Sequence, residues 1–174
     1  MVRFQRQPPG TAITRAALLV GAVAAVAAGA WIVTGETSRG GAAAGLAGIL
    51  LLVGGHRANH GAGGPVDRAL TEFADRLWDG AVFGAVVWVA GDTAIAIGAL
   101  VALCASFVSS YVRARGASLG YSVEESHVTR GVRYAIVSLG LLTGALAAAV
   151  WTAAVLSALA ALVRISQVAS EERA

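Results

Sequence analysis

The chain contains no lysine; all 13 of its basic residues are arginine. It contains one cysteine, Cys104, inside an apolar run. A lone cysteine excludes an internal disulfide and reads as a small buried hydrophobe. Charge is scarce: 13% of residues are charged and 57% hydrophobic, whereas a soluble domain carries about 25% charged residues. Mean hydropathy is +0.72. An ordinary water-soluble core is excluded, and a small polytopic membrane domain is expected. No Walker loop, zinc motif or nucleophile elbow occurs. The formal charge of +3 does not imply nucleic acid. The arginines flank apolar runs, where basic residues report membrane orientation.

An apolar helix needs about 20 residues to cross the hydrocarbon core. Six such spans can be placed, at about 13–34, 42–55, 66–90, 93–112, 131–146 and 149–167. The second is short and ends at Gly54-Gly55; the polar stretch from His56 to Pro65 follows it. The third begins in water, with Asp67, Glu72, Asp75, Arg76 and Asp79 on its first turns, and then sinks into the bilayer. Arg113 to Thr129 reads as a polar loop. From Tyr134 to Val163 there is no charge, too long a stretch for one upright helix. Two spans with a reversal between Leu142 and Val150 fit it, and one strongly tilted helix is the alternative. The expected fold is an all-α integral membrane protein of six transmembrane helices. Met1 to Gly10 forms a juxtamembrane segment along the headgroups, and the tail from Ser170 frays. With six spans, every arginine except Arg39 falls on one side. The positive-inside rule then places both termini in the cytoplasm of a cell membrane.

Three polar clusters share that side. Asp75 and Asp79 lie four apart, on one helix face. Carboxylates so placed can hold a divalent cation or act as a general base, or they can simply be solvated with Arg76 as counter-charge. Arg113 and Arg115 end the fourth span, and their planar donor forks suit phosphate. Arg130 and Arg133 share a face at the start of the fifth. All four arginines could equally be orientation anchors. His56 and His60 have helical spacing, but their Gly-rich context argues against a helix and a zinc site there.

These residues resemble the CDP-alcohol phosphatidyltransferase family. Phe73-Ala74-Asp75-Arg76-Leu77-Trp78-Asp79-Gly80-Ala81-Val82-Phe83-Gly84 looks like that family's third transmembrane helix. Ser110-Tyr111-Val112-Arg113-Ala114-Arg115, followed by Leu119-Gly120, resembles the end of its fourth. Thr129-Arg130 with Arg133 resembles its entry to helix five, with Thr129 in a glutamate position. The likeness is to bacterial phosphatidylinositol-phosphate and phosphatidylglycerophosphate synthase types.

The resemblance implies transfer of a phosphatidyl group from CDP-diacylglycerol to an alcohol, with release of CMP. The family signature, D-x2-D-G-x2-A-R-x8-G-x3-D-x3-D, binds Mg²⁺ or Mn²⁺, and its last aspartate deprotonates the acceptor. Placed without gaps, that last aspartate is Asp75 and the motif's first glycine is Gly54, a nucleotide-binding position. The other aspartates fall on Leu50, Val53 and Thr71, its second glycine on Asp67, and its Ala-Arg pair on Arg57-Ala58. No acidic residue occurs between Glu36 and Asp67. Leu50, Val53, Thr71 and Asp75 are expected to converge on one cavity. Asp75, with Asp79, is the remaining candidate for metal or base, and Arg113, Arg115, Arg130 and Arg133 are the candidate headgroup-phosphate site. The expected role is a non-catalytic paralogue, a pseudoenzyme that binds an anionic headgroup in the phospholipid membrane. It would form a homodimer or pair with an active relative. The alternative is an active transferase with unusual metal ligands.

Overall fold

A computed structural model describes residues 11–60, 63–121 and 127–171. The proposed juxtamembrane segment, Met1 to Gly10, lies outside them. The described residues form six helices and no strand: α1 Thr11–Val33, α2 Thr37–Asn59, α3 Pro65–Val89, α4 Thr93–Ser118, α5 His127–Thr143 and α6 Leu146–Glu171. Four of these, α1, α2, α4 and α6, are long and apolar enough to cross a membrane.

Several boundaries differ from the sequence expectation. The loop expected from Thr34 to Gly41 closes within three residues, and α2 starts at Thr37. Helix α2 also runs through Gly54-Gly55 to Asn59. His56 lies in its last turn, and the His60 ring stacks on it at 4.2 Å. Glycine lowers helix propensity by about 1 kcal/mol, and packing overrides that here. The loop expected from Arg113 is helical as far as Ser118, and α5 begins at His127. The reversal between α5 and α6 falls inside the expected window, at Gly144 with φ +78°. That left-handed backbone suits glycine. Ser170 and Glu171 continue α6 rather than fraying.

The helices form a closed ring, α1–α2–α5–α6–α4–α3, with α2 also touching α3. Lipid supplies no hydrophobic drive between apolar helices, so close backbone approach through small residues has to do the packing. A Cβ at Gly48 would lie 2.8 Å from Tyr134 Cβ on α5. One at Gly29 would lie 2.8 Å from the Ala81 carbonyl oxygen on α3.

Helix α3 turns its polar side inward. Asp67, Thr71, Asp75 and Asp79 are buried at four-residue spacing, together with Trp78, Val82 and Phe83. Phe73 faces outward, 62% exposed. Gly64 precedes Pro65 at the helix start, where a missing N–H costs nothing. Asp67 reaches back to accept the Gly64 N–H at 2.7 Å. Trp78 Nε1 donates to the Ala44 carbonyl at 3.0 Å, tying α3 to α2.

Gly29→Ala should therefore destabilise the bundle by about 1–3 kcal/mol through overpacking against backbone. Gly84→Ala, where a Cβ meets open space, should not. Apparent Tm in detergent distinguishes the two.

Candidate functional site

The four carboxylates near the start of α3 each meet a guanidinium from elsewhere in the ring. Asp67 pairs with Arg15 of α1 at 2.6 Å. Glu72 pairs with Arg113 of α4 at 2.8 Å. Asp75 pairs with Arg130 of α5 and accepts the Tyr134 hydroxyl at 2.6 Å. Asp79 holds Arg133 of α5 at 2.9 Å and Arg76, one turn away, at 2.9 Å. Ser106 of α4 donates to Asp79 at 3.0 Å and accepts from Arg76 at 3.1 Å. These contacts bring the starts of α1, α3 and α5 to the same end of the bundle as the end of α4. Arg164 brings α6 there too, donating to the Ser109 carbonyl at 3.0 Å and to Ser109 Oγ at 2.8 Å.

A cavity of about 70 Å³ opens among α3, α4, α5 and α6, room for several waters or one tetrahedral oxyanion. Its charged lining is Arg76, Arg113, Arg130, Arg133 and Arg164 against Glu72 and Asp75. Asp79 sits behind, fully buried. Positive charge is in excess. Among the described residues, no carboxylate pairs with Arg164. Arg133 Nε and Ser157 Oγ are buried without a hydrogen-bond partner, and both residues line the cavity. Surplus guanidinium around a cavity of this size is chemically suited to an oxyanion.

Of the residues proposed from sequence, Asp75, Arg113, Arg130 and Arg133 come together here. Arg115 does not: it is exposed on the outer side of α4, 3.5 Å from Ser118. One helical step of two residues turns it about 200° away from Arg113. Arg76 stands as the counter-charge expected beside Asp75 and Asp79; Ser106, Ser109, Tyr134, Ser157 and Arg164 carry no signal in the sequence pattern. Arg164 stood alone near the end of an apolar span, and nothing in its spacing signalled a partner.

Leu50, Val53 and Thr71 do not join Asp75 at the cavity. Val53 is 50% exposed and Leu50 is partly exposed, whereas Leu51, Gly54, Gly55 and Ala58 are buried. The inward face of α2 is therefore displaced by one residue from the gapless placement. With the α2–α3 connection one residue shorter, the signature's first two aspartates fall on Leu51 and Gly54. Its glycine falls on Gly55 and its alanine on Ala58, so neither helix α2 position carries a carboxylate. Gly54 packs against α1, where its Cβ would meet Leu18 Cδ2 at 2.7 Å.

The residues present do not fit the metal that the signature implies. Leu51 and Gly54 offer no donor, and Thr71, at the third aspartate position, packs on Gly55, where a Cβ would lie 2.8 Å from its Cγ2. Asp75 and Asp79 are already held by arginine. Asp67 is about 12 Å further along the helix axis from Asp75. Among the described residues, no three acidic, His or Cys side chains gather to hold a cation.

These features define a class: a bundle of apolar helices with an arginine-lined cavity at one end. Known proteins narrow this class. No family profile matches the chain. Over 154 residues it is 32% identical to the phosphatidylinositol phosphate synthase of Mycobacteroides abscessus, covering 84% of this chain and 70% of that one. Over 90 residues it is 38% identical to the Corynebacterium glutamicum synthase, where the match spans 48% of this chain and only 41% of that protein. The Mycobacterium tuberculosis phosphatidylinositol phosphate synthase structure with CDP-DAG bound superposes with a TM-score of 0.75 at 25% identity, covering 92% of this chain and 93% of that one. The same enzyme in complex with manganese and citrate gives 0.74 at 25% identity, covering 91% and 88%. The chain belongs to the CDP-alcohol phosphatidyltransferase family.

Arg130→Met leaves Asp75 buried beside Tyr134 alone, and should cost about 3–5 kcal/mol. Pairing it with Asp75→Leu should restore most of the loss, which thermal unfolding of the single and double variants would show.

Proposed function

We propose that this chain is a non-catalytic member of its family that binds the phosphate of an anionic headgroup at the membrane. One observation carries the reading. The cavity is lined by five arginines against two carboxylates, while the signature positions on α2 carry no carboxylate. A transferase needs its nucleophile activated and its leaving pyrophosphate neutralised. Asp75 is poorly disposed to act as a base, because Arg130 and Tyr134 occupy both of its oxygens.

The proposal includes six membrane crossings, with both termini cytoplasmic. Helix α3 supports this by turning its carboxylates inward and Phe73 outward. The gathering of arginines from α1, α3, α4, α5 and α6 at one bundle end fits the positive-inside rule. Lipid-phase pairing with a second copy or an active relative belongs to the same reading. Gly80 and Gly84 have open space where a Cβ would stand, which would let another helix approach α3 closely.

Two measurements test it. Inorganic phosphate or an inositol phosphate should raise the apparent Tm of the purified protein. Arg164→Gln should reduce that rise several-fold, while Arg115→Gln leaves it intact. Incubation with CDP-diacylglycerol, Mg²⁺ or Mn²⁺ and acceptor alcohols should release no CMP. Metal-dependent turnover abolished by Asp75→Asn would establish the active alternative instead.

A further inference from the structure

We infer that fixed ion pairs have taken the place of the family's divalent cation, so that this end of the bundle assembles, and takes up its oxyanion, without metal. The oxyanion half rests on the reading proposed above; the assembly half does not.

A divalent cation bound between two helices does two jobs. It ties their carboxylates together, and it supplies positive charge to a bound phosphate. In this chain each job has another owner. The tie between helices is ionic but metal-free. Arg15 of α1 meets Asp67 of α3, whose side chain is 1% exposed. That aspartate stands where the gapless signature has glycine, so the pair is an addition to the family pattern. Arg130 and Arg133 of α5 bind Asp75 and Asp79 in the same way. Between α2 and α3, the Gly55–Thr71 contact closes the gap by packing alone.

The positive charge for an anion comes from guanidinium. Arg113, Arg133 and Arg164 line the cavity. Arginine remains charged at any physiological pH, so this supply does not depend on cation concentration.

The full chain, purified in detergent, provides the test. Apparent Tm should be the same in EDTA and in Mn²⁺, and Mn²⁺ should keep the electron paramagnetic resonance signal of the free ion. The Tm rise caused by inorganic phosphate should be equal in both buffers. Arg15→Asp should lower Tm, and adding Asp67→Arg should recover most of the loss; Arg15→Lys should be milder than either single charge reversal. A Tm rise with Mn²⁺ that vanishes in Asp75→Asn would overturn the inference. An unchanged Tm in Arg15→Asp would overturn the tie between α1 and α3. A phosphate effect missing from both buffers would sink the oxyanion half and the reading beneath it, leaving metal-free assembly supported by the Mn²⁺ result.

Discussion

The bundle depends on the neutralisation of carboxylates in a helix packed among membrane-spanning apolar ones. A charged group inside a membrane is costly and must find a partner in the protein interior. Helix α3 carries four carboxylates near its start, and arginines from α1, α4 and α5 answer them. That requirement fixes which face of α3 turns inward, and it fixes which ends of the other helices must lie beside it. The aromatic contacts follow from the same arrangement. Tyr134 reaches Asp75 with its hydroxyl while its ring packs 4.4 Å from Trp78.

Much of this was legible in the residues, and the failures have physical causes. The apolar runs marked the helices, and the third-helix segment from Phe73 to Gly84 marked the family. Asp75, Arg113, Arg130 and Arg133, singled out by residue type and spacing, line one cavity. Arg115 was not separated from Arg113, because two arginines two residues apart look alike until the helix is known to continue past them. The face of α2 was misjudged by one residue. Its composition is small and apolar on several sides, so hydrophobic periodicity carries little information there. Contact with α1 and α3 decides the face instead, and contact is not written in local spacing. Arg164 and Ser157 lie far along the chain from the residues they join, beyond the reach of any local motif.

The comparison with the synthases sharpens what has changed in this chain. The fold agrees over nearly the whole length, and five arginines line the cavity at one end of the bundle. Set against the family signature, the α2 positions Leu51 and Gly54 and the α3 position Thr71 carry no carboxylate. A family's architecture and a family's chemistry can therefore part company within one face of one helix.

The separation of these partners along the chain sets an order for biosynthesis. When α3 leaves the ribosome, Arg15 already exists, 52 residues earlier, and Asp67 can be neutralised at once. Arg76 is likewise at hand for Asp79, in the next turn. Asp75 has no such neighbour: Tyr134 is made 59 residues later, with Arg130 just ahead of it. Glu72 waits for Arg113 at the end of α4, and Asp75 waits longer, until the chain enters α5. Arrival of the fifth helix is then the event that lets the third one settle.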